Sequence, residues 1–123
     1  MINNIVLVHG AFADGSSWSG VIRLLQARDF NVTAVHQPLT SVMSAVQMPW
    51  KLPTDRVGHP AWRSRPSWYQ ISERDQMISP QLQHFMAERT GARIVALDAS
   101  HASAVSQAGD VAGLIASAAE SLP

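Results

Sequence analysis

A short run of aliphatic residues, Ile5-Val6-Leu7-Val8, stops abruptly at His9-Gly10 and gives way to a turn-rich loop, Ala11-Phe12-Ala13-Asp14-Gly15-Ser16-Ser17. An unbroken apolar run of this length reads as a strand buried on both faces, as in parallel sheets. Beyond the loop, Trp18, Val21, Ile22 and Leu25 recur at i, i+3, i+4 and i+7, one stripe of a helix. Asp14, Ser16 or Ser17 can cap its start. Asn31–Val35 reads as a second strand. Strand, loop, helix and strand in about thirty residues make a βαβ unit, and that unit commits the chain to a parallel sheet covered by helices.

The second half repeats the alternation. Trp68-Tyr69-Gln70-Ile71 reads as a strand. Ser79-Pro80 caps and starts a helix that places Leu82, Phe85 and Met86 on one face, and Gly91 ends it. Arg93–Leu97 reads as a further strand, and Asp110 can cap a last helix carrying Val111, Leu114, Ile115 and Ala118 on one stripe. Thr40–Gln47 fits a short helix. Residues 48–66 hold Pro49, Pro53, Pro60 and Pro66, four of the seven prolines. They read as an irregular, Pro-stiffened connection anchored by Trp50 and Trp62. A loop this long inside a small domain has the look of a place where something larger was replaced. The expectation is one α/β domain over 1–123, with a small, mostly parallel sheet of about four strands and three to four helices.

With 123 residues the chain is long enough for one domain with its own core. It has no cysteine, which excludes disulfides, thiolate metal sites and a Cys nucleophile. Nine Lys+Arg balance nine Asp+Glu, so a broad electrostatic footprint for nucleic acid or an anionic membrane is not expected. The grouping of Arg56, Arg63 and Arg65 with Trp50, Trp62 and Trp68 resembles a stacking surface for nucleic acid, but the zero net charge weighs against it. Charged residues make up 15% of the chain, below the roughly 25% usual for soluble domains. A surface so weakly charged points to cover by another subunit. No apolar window approaches the roughly 18 residues of a membrane span, and Met1-Ile2-Asn3-Asn4 lacks the basic residue of a secretory leader. The expected location is cytoplasmic.

Sites in open α/β sheets lie at the carboxyl ends of the strands. There the sequence places His9–Trp18, then Ser72-Glu73-Arg74-Asp75, then Asp98-Ala99-Ser100-His101-Ala102. A carboxylate, a histidine and a loop bearing glycine and hydroxyls would thus share one edge. Those are the parts of an acyl-transfer site: an orienting acid, a general base and backbone N–H donors for an oxyanion. Asp98, three residues before His101, is the rival acid. A bare Asp-x-x-His holds no metal without a third ligand, so neither metal nor other cofactor is expected. His9 reads as a structural hydrogen-bonder beneath its loop. His36, His59 and His84 show no ligand spacing and read as surface or loop residues.

These segments carry a resemblance. Leu7–Trp18 at the front, with Pro66–Tyr69, Glu73-Arg74-Asp75, Phe85–Arg89 and Asp98–Ala102 at the back, resemble the α/β-hydrolases, in the small esterase branch that includes hydroxynitrile lyases and methyl esterases. The likeness covers about 1–47 and 60–120 and implies a reduced, three-layer α/β-hydrolase fold. It also implies that Asp75 is the acid and His101 the base, and that the loop after His9-Gly10 supplies an oxyanion N–H from Ala11 or Phe12. The chain departs from the family at the nucleophile, which there sits in a Gly-x-Ser-x-Gly elbow. Ser17 has Gly15 two residues before it but Ser19 two after, and no serine is flanked by glycine at both positions. The nucleophile strand, its helix, the next strand and the lid are missing from the pattern.

If the central strands are absent, the first and third strands are expected to become neighbours, drawing the start of the first helix toward His101. Ser16 is then the favoured nucleophile, and Ser17 the cap or an oxyanion and substrate-binding residue; a serine from a second subunit is the other route. The leading expectation is a small serine esterase of short-chain carboxylic esters, open for want of a lid, using Ser16, His101 and Asp75. Exposed sheet edges and faces point to a homo-oligomer, a dimer at least. A second expectation is a catalytically inactive hydrolase remnant serving as a binding or assembly module. A third has His101–Asp75 act as a base on water or on a cyanohydrin-like proton, with no enzyme nucleophile.

Overall fold

The structure is a computed structural model that describes residues 2–10, 15–35 and 58–123. The chain is mixed α/β. Strand β1 (Asn4–Val8) leads through a 3-10 turn (Gly15–Trp18) into helix α1 (Ser19–Gln26) and strand β2 (Asn31–Val35). A second 3-10 turn (Ala61–Arg63) precedes strand β3 (Trp68–Ser72), helix α2 (Pro80–Thr90) and strand β4 (Arg93–Leu97). The short helix α3 (Ser103–Ser106) and the longer α4 (Ala108–Glu120) close the chain. The short helix expected at Thr40–Gln47, the Trp50 anchor and the first part of the proline-rich connection lie outside the described residues. Of that connection, Trp62 is half-buried in the second 3-10 turn, with the Arg63 guanidinium 5.4 Å from its ring centre.

Both expected β-α-β units form, and both pair in parallel. β1 runs beside β2 from Asn4 opposite Asn31 to Val8 opposite Val35. β3 runs beside β4 from Trp68 opposite Arg93 to Ser72 opposite Leu97. The expected single sheet of about four strands is not seen: among the described residues there are two sheets of two strands each, and β1 and β3 are not paired. A parallel ladder needs two strand edges in register along their length, and among the described residues β1 bonds only to β2 and β3 only to β4.

The first sheet is covered on one face. Ile5 and Leu7 point into the main core with Val21 and Leu25 of α1, Phe30, and Val111, Ala112, Ala116 and Ala119 of α4. The helices α1 and α4 pack together so closely that a Cβ added at Gly20 would lie 3.0 Å from the Ala108 Cβ. Val6 and Val8 alternate to the other side and stay 64% and 55% exposed. The expectation of burial on both faces therefore fails: side chains alternate along a strand, and among the described residues only one side of this sheet carries helices.

Helix ends follow local chemistry. Ser79 Oγ accepts the Leu82 N–H at 3.3 Å, Pro80 takes the first helical position, and Gly91 ends α2 at φ 65°. The α1 stripe is as read, with Val21 and Leu25 fully buried. Its start differs, because the chain enters through the 3-10 turn and Trp18 occupies the cap position without a side-chain bond, so Ser17 is not the cap of α1. At α4 the cap position belongs to Gln107, and Asp110 sits in the first turn. The buried face of α4 is Val111, Ala112, Ala116 and Ala119 rather than the stripe through Leu114 and Ala118. In α2 the apolar stripe faces outward, Leu82 and Phe85 being 48% and 59% exposed, while Gln83 and Ala87 are buried.

Candidate functional site

The parallel register of β3 and β4 ends their strands side by side, and backbone bonds carry the pairing into the loops beyond. Glu73 N–H donates to the Leu97 carbonyl at 2.9 Å and Arg74 N–H to the Ala99 carbonyl at 3.0 Å. The Asp98 carbonyl accepts from Arg74 Nη2 and from Gln107 Nε2. Loops stitched together this way bring Asp75, three residues past β3, against His101, four residues past β4. The His101 Nδ1 lies 2.8 Å from Asp75 Oδ2. Asp98, the rival acid, instead pairs with Arg74 at 2.6 Å in an exposed ion pair.

The two partners differ in exposure. The Asp75 side chain is 4% exposed and that of His101 47%. Asp75 Oδ1 accepts the Met77 and Ile78 N–H groups at 2.8 and 3.0 Å, and Oδ2 also accepts from Gln83 Nε2 at 2.9 Å. Four donors saturate an ionised carboxylate. Burial by itself pushes the Asp75 carboxyl up, but the Ile78 N–H, the His101 ring and the Met77 N–H together outweigh it and hold the group below its ordinary value. Asp75 is thus a fixed anion, suited to orienting the ring and unsuited to exchanging protons near neutral pH. With Nδ1 engaged, the remaining nitrogen, Nε2, is the one placed to take a proton.

Around the pair lies an open cleft of about 310 Å³, lined in part by Trp68, Tyr69, Gln70 and Ser103. Ser103 Oγ donates to Gln70 Oε1 at 2.6 Å, and Gln70 Nε2 donates to Ser72 Oγ at 2.9 Å. The chain just after His101 is thereby tied to β3. The Tyr69 hydroxyl is pushed above its ordinary value by burial and then by the negative charge of Asp75, and so stays a neutral donor.

Ser16 and Ser17 lie in the first 3-10 turn, Ser16 exposed and Ser17 half-buried; the Ser16 carbonyl accepts from Ser19 Oγ at 2.7 Å. That turn packs against α3, which begins two residues after His101. The turn thus meets the segment after His101 through a helix rather than by the strand-to-strand closure expected of the sequence, and neither Ser16 nor Ser17 lines the cleft around His101. Ala11 and Phe12 lie outside the described residues. His9 Nδ1 is 2.9 Å from the Gly10 carbonyl. No group of three or more metal-ligating side chains occurs among the described residues. Gln83 was not legible as a site residue. Hydropathy marks it as surface, and only its place four residues before Ala87, on the same helical face, hints at burial. No family model, curated protein or solved structure matches this chain.

Proposed function

We propose that the chain is a small serine esterase of short-chain carboxylic esters. The observation that carries this reading is the buried, fully hydrogen-bonded Asp75 holding His101 at 2.8 Å on the rim of an open cleft. The resemblance of Leu7–Trp18 and Asp98–Ala102 to an esterase branch of the α/β-hydrolases supports the substrate class. In the proposed reaction, His101 Nε2 takes the hydroxyl proton of Ser16 as Oγ attacks the ester carbonyl. The proposed donors for the developing oxyanion are backbone N–H groups of Ala11 or Phe12, with Ser17 as a further oxyanion or substrate-binding residue. Collapse expels the alcohol, which carries off the proton from His101. Water, deprotonated by His101 in turn, then releases the carboxylate and restores Ser16. Self-association belongs to the same proposal, supported by the exposed Val6 and Val8 face of the first sheet. No helix among the described residues is long and apolar enough to cross a membrane.

The test is labelling with a fluorophosphonate probe, followed by peptide mapping. The expected result is one adduct, on Ser16, that disappears in His101→Ala. Folded protein that takes no adduct overturns the esterase.

One observation favours a second reading. No described residue hydrogen-bonds His101 Nε2, which leaves the pair able to act as a base on water or on an acidic proton of a bound substrate. Turnover without a covalent serine adduct would select it.

A further inference from the structure

Gln83 occupies an unusual place: a polar side chain 5% exposed on the inner face of α2, directly behind the carboxylate. Its carbonyl oxygen accepts the Ser72 N–H at 2.9 Å. Its amide nitrogen donates to Asp75 Oδ2 at 2.9 Å and to the Ile78 carbonyl at 2.8 Å. These partners fix the amide orientation. Turned over, the group would set oxygen against two acceptors and NH2 against a donor. Oδ2 accordingly has two donors, one from α2 and one from His101, and the Gln83 bond determines where the second points. The Ser72 bond anchors the arrangement to the last residue of β3, the strand that delivers Asp75.

We propose that Gln83 is the positioning residue of the pair: its amide donates to Asp75 Oδ2 and aims that oxygen at His101, linking helix α2 to a ring it does not touch. The inference rests on the esterase reading only for the use to which the pair is put. Among the described residues, the titratable groups facing Asp75 are His101 from the β4 loop and Tyr69 from β3.

The first test needs no variant. In a pH titration of the wild-type protein by NMR, the Gln83 side-chain NH2 resonances are expected to move with the same midpoint as the Asp75 carboxyl carbon. NH2 resonances indifferent to that midpoint overturn the proposal. The second test is Gln83→Met, which keeps side-chain length and removes the donor. The Asp75 carboxyl is expected to titrate at higher pH than in the wild type, since burial remains and one donor is gone. Fluorophosphonate labelling is expected to slow by about 10- to 100-fold, as for a displaced base. A folded variant with an unchanged Asp75 midpoint overturns the proposal. If the variant does not fold, the wild-type titration decides alone. A wild-type protein that shows the coupled titration but takes no label overturns the esterase and upholds the role of Gln83.

Discussion

Replacing Asp75 by Asn keeps the shape of the side chain and inverts half of its chemistry. Four donors converge on the carboxylate: the N–H groups of Met77 and Ile78 on Oδ1, Gln83 Nε2 and His101 Nδ1 on Oδ2. An amide has one oxygen to offer them. With that oxygen toward Met77 and Ile78, its NH2 faces the Gln83 NH2, a contact of donor against donor. His101 can adapt only by moving its proton to Nε2, so that Nδ1 accepts. Hydrogen bonds to a charged group contribute roughly 1.5–3 kcal/mol each. Losing the charge and mismatching one donor is therefore expected to cost about 2–4 kcal/mol at pH 7, a large share of a typical domain stability of about 5–15 kcal/mol.

The pH dependence adds a sign to that magnitude. The Asp75 carboxyl titrates below its ordinary value in the folded chain and near 3.9, the ordinary Asp value, when unfolded. Its contribution is complete above the unfolded value and drains away as pH falls through the folded one. Urea unfolding of both proteins is expected to show a gap that is constant at neutral pH and closes in acid, because only the wild type loses this contribution. The proton relocation to Nε2 also removes the base, so labelling of the serine is expected to stop. A variant within about 0.5 kcal/mol of the wild type at pH 7, the ordinary range for a surface substitution, would refute the account of Asp75 as a buried anion held by four donors.

Two further outcomes test the packing. Leu25→Ala empties a fully buried position on α1 and is expected to cost about 3–5 kcal/mol in urea unfolding. Val6→Ala, on the exposed side of β1, is expected to cost under about 1 kcal/mol, and equal costs would contradict one-sided burial. Sedimentation at high protein concentration is expected to show a dimer or larger assembly; a monodisperse monomer would end the self-association proposal.

What could be read from the residues was mostly local. Asn31–Val35 and Arg93–Leu97 are strands with the expected ends, because short runs rich in β-branched residues and flanked by turn formers suit a pleated, half-buried strand. Ser79-Pro80 and Gly91 bound α2 for reasons contained in those three residues: a hydroxyl acceptor, a fixed φ and the freedom to take a positive φ. The juxtaposition of Asp75 and His101 followed from parallel strand order, since neighbouring parallel strands deliver their loops to the same end.

The failures were of another kind. Whether β1 would meet β3, whether Val6 and Val8 would be covered, and which side of α2 would turn inward are all questions about partners distant in sequence. The sequence grouped Leu82, Phe85 and Met86 on one face of α2 and did not single out Gln83. In the tertiary structure Leu82 and Phe85 are exposed, while Gln83 is buried with its amide hydrogen-bonded to Asp75 and Ser72, which offsets the cost of burying it. The sequence by itself therefore determined the α/β alternation and the ends of α2, set by backbone preference, and brought Asp75 and His101 to one sheet edge by strand order, their pairing being what the resemblance implied. Only the tertiary structure decided the division into two sheets, the bare face of β1 and the amide behind Asp75, since burial is settled by what stands opposite a residue.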